Sequence, residues 1–168
     1  MSTDIGVIRP EMRDVDVRMR VGAVSSERRA RIARGLRTLH TLEIMAANIY
    51  RCQITKRDSA LNRALVAAMC NEMTHVQDFQ VKLSEYGVRP SPFRWAYWIV
   101  GFVFGAWSRM RGERGILRMG IWVETKAVRH YAELLETIDW DEDTRRIVAK
   151  NSADEAGHVD RWTVMLGL

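Results

Sequence analysis

A chain of 168 residues, 47% of them hydrophobic, can form one domain with a sizeable core and is too apolar to be disordered. Its net charge of +5, carried mainly by arginine, suits an anionic partner such as a membrane surface; the arginines are dispersed and accompany no nucleic-acid motif, so nucleic acid is not expected. Cys52 and Cys70 form no C-x-x-C unit, which excludes a disulfide framework and a rubredoxin-type iron site, and no apolar signal region opens the chain, so a reducing cytoplasmic compartment is the default.

Residues 1–23 lack a clear period and read as an N-terminal arm, leaving 24–168 as the folded domain. Ser25 or Ser26 can cap a first long helix, whose apolar positions Ile32, Leu36, Leu39 and Ile49 recur at helical spacing and which runs to about Thr55. Asp58 can cap a second, with Leu61, Leu65, Ala68, Phe79 and Leu83 on one stripe and Gly87 as its stop. Pro90 and Pro92 follow, then an apolar segment at about 93–110 with Trp95, Trp98, Phe102, Phe104 and Trp107. Its continuous apolar run is shorter than the roughly 20 residues a membrane-spanning helix needs. Gly112 and Gly115 loosen the chain before a third long helix through Met119, Val123 and Leu134. Asp139, or the Asp141–Asp143 cluster, opens a fourth through Val148 and Trp162. Alternating apolar runs with hairpin turns are absent, so the expected class is all-α: two helix pairs joined by an apolar crossover helix.

Two Glu-x-x-His pairs, Glu72–His75 and Glu155–His158, carry the chemistry. Each follows a lone glutamate on the preceding long helix, Glu43 at 29 residues and Glu124 at 31. Residues three apart share a helix face, so one Glu and one His there can grip one ion together. Four carboxylates and two imidazoles in this order are the ligand set of a ferritin-like four-helix bundle holding two iron or manganese ions. The lone glutamates are expected to bridge the two ions. One Glu-x-x-His is common by chance and usually a solvated pair; two copies with matched upstream glutamates are far more specific. Behind the ligands, Asp154 is placed to accept a ligand imidazole N–H, and Asn71 holds the equivalent place before Glu72. His40, three residues before Glu43, reads either as a partner of the site or as a rim histidine, with the rim favoured.

At these residues the chain resembles the demethoxyubiquinone hydroxylase family, ferritin-like di-iron monooxygenases of ubiquinone biosynthesis, from about Arg34 to His158. His40-Thr-Leu-Glu43 is similar to the family's His-Ala-Gly-Glu. Glu72-Met-Thr-His75 and Asp154-Glu155-Ala-Gly-His158 are similar to its two Glu-x-x-His motifs, and Val123-Glu124 with His130-Tyr131 to its Val-Glu and downstream His-Tyr. Gly101-Phe-Val-Phe-Gly105-Ala106, followed by Arg111-Gly112-Glu113, resembles its apolar crossover. The resemblance implies two Fe ions per chain (Mn possible), O2 as co-substrate, and hydroxylation of the ring of a membrane quinone. It further implies a reductant such as NADH or a reductase, and a place for His130 and Tyr131 near the substrate or its electron route. The Trp-rich segment flanked by Arg94, Arg109, Arg111 and Arg114 suits a helix lying in the bilayer interface, peripheral on the inner membrane. A homo-oligomeric or lipid-handling partner on that surface is the other expectation.

Three departures stand out. Thr41-Leu42 replaces the family's small pair before the first glutamate, and Trp122 sits two residues before Glu124. The chain also stops ten residues after His158, where the family usually continues, so it reads as a short member without the C-terminal extension. A ferritin-like ferroxidase, peroxidase or iron-handling protein would use the same six ligands without an organic substrate. A helical interaction protein with a vestigial site is the non-enzymatic alternative.

Overall fold

In the computed structural model, which describes residues 16–168, five helices follow in order: α1 Ser26–Gln53, α2 Ala60–Glu85, α3 Arg94–Met110, α4 Gly112–Thr137 and α5 Glu142–Leu166. No strand occurs among the described residues, and the architecture is a ferritin-like helical bundle. Side-chain oxygens close the starts of three helices. Ser25 accepts from the Arg28 amide (3.3 Å), Ser59 from Asn62 (3.1 Å) and Asp141 from Thr144 (3.1 Å). The cap of α2 is thus Ser59 rather than Asp58, because the serine hydroxyl reaches the first free amides from one residue closer. Asp58 instead pairs with the Arg63 side chain. Gly112 does not loosen the chain ahead of α4; at φ +68° it turns the backbone directly from α3 into α4.

The short links between α1 and α2 and between α4 and α5 make each pair antiparallel neighbours. Cross-contacts fix the remaining directions. Tyr50 of α1 bonds Glu124 of α4, while Tyr131 of α4 bonds Glu43 of α1, so those helices also run antiparallel. His75 lies by Glu155, and His158 by Glu72, so α2 and α5 do the same. The core has two large apolar plugs, one at each end, and a smaller cluster of Ile49, Met119 and Val123. Ile32, Leu36, Phe79, Leu83, Tyr131 and Val148 fill one end; Tyr50, Leu65, Ala68, Ile116 and Trp162 fill the other. Between them all four long helices turn glutamates inward.

Part of the N-terminal segment is docked. The Arg20 guanidinium bonds Glu85 (3.1 Å), Asp141 (3.0 Å) and Asp143 (2.9 Å), tying the end of α2 to the start of α5. Residues 1–15 of the expected arm lie outside the described residues.

Helix α3 lies along α1 with Gly101, Gly105 and Ser108 buried. A Cβ on Gly101 would meet the Met45 carbonyl at 2.4 Å, and one on Gly105 the Ile49 carbonyl at 2.6 Å. Polar ties hold this close approach: Asn48 donates to the Trp98 carbonyl (2.6 Å), and Gln53 to the Ser108 hydroxyl (2.8 Å). Trp95, Trp98, Phe102 and Trp107 are exposed, with Trp98 stacked on Phe102 and Arg111 over the Trp107 ring at 3.5 Å. Phe104, grouped with them in the sequence reading, is half-buried. The helical period puts it beside the glycine stripe, where it packs against Met119 and meets Trp122 edge-on. Gly105→Ala is expected to destabilise the protein by about 1–3 kcal/mol through overpacking against backbone. Gly157→Ala, where open space surrounds the added methyl, is expected to stabilise it by about 0.5–1 kcal/mol. Urea unfolding of the two variants reads both signs.

Candidate metal centre

Glu43, Glu72, His75, Glu124, Glu155 and His158 are all buried and meet at the centre of the bundle. They form two overlapping groups. Glu43, Glu72, His75 and Glu155 each bring one ligand atom within 4.8 Å of the others, and so do Glu72, Glu124, Glu155 and His158. The carboxylates common to both groups are therefore Glu72 and Glu155, not the lone glutamates that the sequence reading took as bridges. The reason lies in the packing. The Glu-x-x-His helices α2 and α5 face each other antiparallel across the centre, so each of their glutamates lies between both histidines. Glu43 and Glu124 flank the cluster, each beside one histidine.

The contacts have the form of a ligand cage. His75 Nδ1 is 2.9 Å from Glu155, 3.6 Å from Glu72 and 3.7 Å from Glu43. His158 Nδ1 is 3.1 Å from Glu72, 3.4 Å from Glu155 and 3.6 Å from Glu124. Even so, both Nδ1 atoms, both oxygens of Glu72, both of Glu155 and one of Glu124 are buried without a hydrogen-bond partner. Atoms this close that do not bond one another face common points. Two ligands at right angles, each about 2.1 Å from an ion, lie about 3 Å apart, which matches the shorter of these separations. A donor set of hard carboxylates with one imidazole per group suits iron or manganese.

Without cations the cluster is electrostatically frustrated. Burial, and then the neighbouring carboxylates, push Glu43 and Glu124 well above the usual carboxylate range. Burial alone would lower the two imidazoles, but the glutamate oxygens crowded around each Nδ1 outweigh it, raising His75 strongly and His158 to about 12. Burial would also raise Glu155; His158 and His75 overcome this and bring it down to about 2. Glu43, Glu124, His75 and His158 thus favour holding protons where cations would otherwise sit.

Hydrogen bonds behind these residues fix their orientation. His75 Nε2 lies 3.1 Å from Asp154, which Lys150 also contacts at 3.3 Å. With Nε2 so engaged, Nδ1 is left facing the cluster. Asn71, the equivalent position on α2, makes no such bond to His158 among the described residues; its carbonyl accepts from Thr74. His40 is buried, at 3% exposure, rather than at the rim, and it belongs to neither group. Burial, and then nearby Arg94, lower its pKa. His130 lines the same cavity as Glu43, its Nε2 buried and unpartnered. The Tyr131 hydroxyl donates to Glu43.

Tyr50 escaped the sequence reading. Its hydroxyl donates to Glu124 and accepts from the Trp162 indole N–H (3.0 Å), and Trp162 in turn packs where Gly120 leaves room. A signal was present: Tyr50 follows Glu43 by seven residues, as Tyr131 follows Glu124. Seven residues are two helical turns, so each tyrosine shares the face of its own glutamate. Because α1 and α4 are antiparallel, each hydroxyl meets the other helix's glutamate, and the two half-molecules interlock.

An antiparallel helical bundle with a buried carboxylate–histidine cluster able to hold metal defines the class of protein. Comparison with known families narrows it: residues 30–163 match the family described as ubiquinone biosynthesis protein COQ7, and the chain belongs to that family. It is 32% identical over 137 residues to a 3-demethoxyubiquinol 3-hydroxylase of Polaromonas sp.. It is also 30% identical over 125 residues to the protein of that name from Polaromonas naphthalenivorans and 31% identical over 125 residues to that from Bordetella avium. These matches cover 80%, 73% and 73% of this chain but only 66%, 60% and 58% of the relatives' own lengths.

Proposed function

We propose that this protein is a di-iron, O2-dependent monooxygenase that hydroxylates the ring of a lipophilic quinone of the demethoxyubiquinone type. The observation that carries this reading is an apolar cavity of about 350 Å³ that opens directly on Glu43 and Glu124. Leu42, Ala46, Val123 and Ala127 line it, and His130 stands at its edge. A site that only stored or oxidised iron would have no use for an apolar chamber at the cluster. The names of the relatives point the same way.

Glu72 and Glu155 would be shared by both ions, with Glu43 and His75 completing one coordination set and Glu124 and His158 the other. The bound pair supplies the redox chemistry toward dioxygen. In the overall reaction one oxygen atom enters a ring C–H bond and the other leaves as water. Two electrons come from a reductant of the NADH or reductase class, together with two protons. The chain's own residues hold the geometry for this: Tyr131 and Tyr50 fix Glu43 and Glu124 by hydrogen bonds, and Asp154 fixes the His75 ring. Phe79 and Tyr131 on one side, and Tyr50 and Trp162 on the other, keep water from the cluster.

No described helix is long and apolar enough to cross a membrane. The exposed Trp95, Trp98, Phe102 and Trp107, with Arg94, Arg109, Arg111 and Arg114 nearby, suit a helix lying in the bilayer interface, where tryptophan rings sit at headgroup depth and arginines reach phosphates. Such docking would bring a lipid-soluble quinone to the cavity without crossing water. Iron-loaded protein given a demethoxylated quinol, reductant and O2 is expected to form the hydroxylated ring. Consumption of O2 with Fe(III) release and no organic product would replace this reading by the ferroxidase one.

A further inference from the structure

Two apolar cavities flank α4, one against α1 and one against α3, and one residue lines both. The inner cavity is the chamber at Glu43 and Glu124. The outer one, about 750 Å³, is formed by Phe104, Trp107 and Met119 with Arg111 and Arg118 at its edge. Trp122 is common to the two.

Its indole is half exposed and braced from one side. Phe104 meets it edge-on, with ring centroids 5.9 Å apart and planes at 80°. Phe104 sits on a stretch of α3 locked against α1 by the close approach of Gly101 and Gly105. Leu42 of α1 contributes to the same inner lining. The inner chamber lies at the small end of ligand pockets, which run from about 300 to 1,000 Å³. On the α4 side its lining includes the Trp122 indole, a bulkier group than the Val123 and Ala127 beside it.

We propose that Trp122 is the specificity-determining residue of the route to the metal centre: its indole divides the two cavities, so the inner one admits a single quinone ring and the outer one takes the ring's apolar tail. The inference rests on the quinone reading above. A fused two-ring quinone is excluded from the inner chamber because the indole occupies the place of the second ring.

The test is equilibrium dialysis of the full chain with its metal, under anaerobic conditions, against a benzoquinone and a naphthoquinone bearing the same short isoprenoid tail. Wild type is expected to bind the one-ring compound at least about tenfold more tightly, the scale on which pocket walls discriminate. Trp122→Ala is expected to lower that ratio by at least about threefold, and Trp122→Phe to leave it in between. Trp122→Leu is judged by the same criterion if the alanine variant does not fold. No preference in wild type, or a smaller fall in the variant, overturns the proposal while leaving the quinone reading intact. Binding of neither compound by wild type overturns both.

Discussion

Glu155→Ala and Glu72→Ala are each expected to lose both metal ions, and with them more than about 100-fold in hydroxylation. Loss of a residue that merely orients a ligand costs about 10–100-fold, and a shared ligand must cost more. The reason is positional: each of these carboxylates belongs to both ligand groups, whereas Glu43 and Glu124 belong to one each. Glu43→Ala or Glu124→Ala should therefore weaken one ion more than the other. Metal analysis with anomalous scattering from the loaded variants reads the difference. Retention of two ions by Glu155→Ala would sink the assignment.

Metal loading is expected to expel protons and to reverse the protein's pH response. In the metal-free protein Glu43, Glu124, His75 and His158 all have folded values raised above their ordinary ones. A raised group contributes stability that is full below its unfolded pKa and is lost as pH rises through the folded value. For the two glutamates the loss begins near 4.5, and for His158 it spans from 6.5 to about 12. Glu155 has the opposite sign: its contribution is present above 4.5 and is lost as pH falls through about 2. From about pH 5 upward the raised groups dominate, so the metal-free Tm should fall with rising pH. Cations compete with those same protons, so apparent affinity should rise by about a decade or more per pH unit. Calorimetry in buffers of different ionisation heat would show proton release. A metal-free Tm that climbs with pH, or binding without released protons, would contradict this account of the cluster.

Much of this centre was legible in the sequence because helical spacing is rigid. Once Glu72 and His75 are on one helix, their shared face is fixed, and the same holds for Glu155 and His158. The apolar positions around them had only one way to be buried together. Relative helix directions were not legible, because they depend on which helices meet across the core. That is why the shared carboxylates were misassigned and why Tyr50, visible as a heptad echo of Tyr131, passed unnoticed. That Phe104 is half-buried while its aromatic neighbours are exposed was not legible for a similar reason: in a run where nearly every residue is apolar, composition does not mark the packed face, and only the glycine stripe at Gly101 and Gly105 does. His40 likewise looked like a rim residue, since nothing local shows its burial or the nearness of Arg94 on α3.

Single-turnover reaction of the reduced, iron-loaded protein with 18O2 and a demethoxylated quinol, read by mass spectrometry of the quinone, tests the whole account at once. One labelled oxygen per hydroxylated ring is the predicted result, absent in Glu155→Ala. Oxidised iron with an unlabelled, unchanged quinone would contradict it.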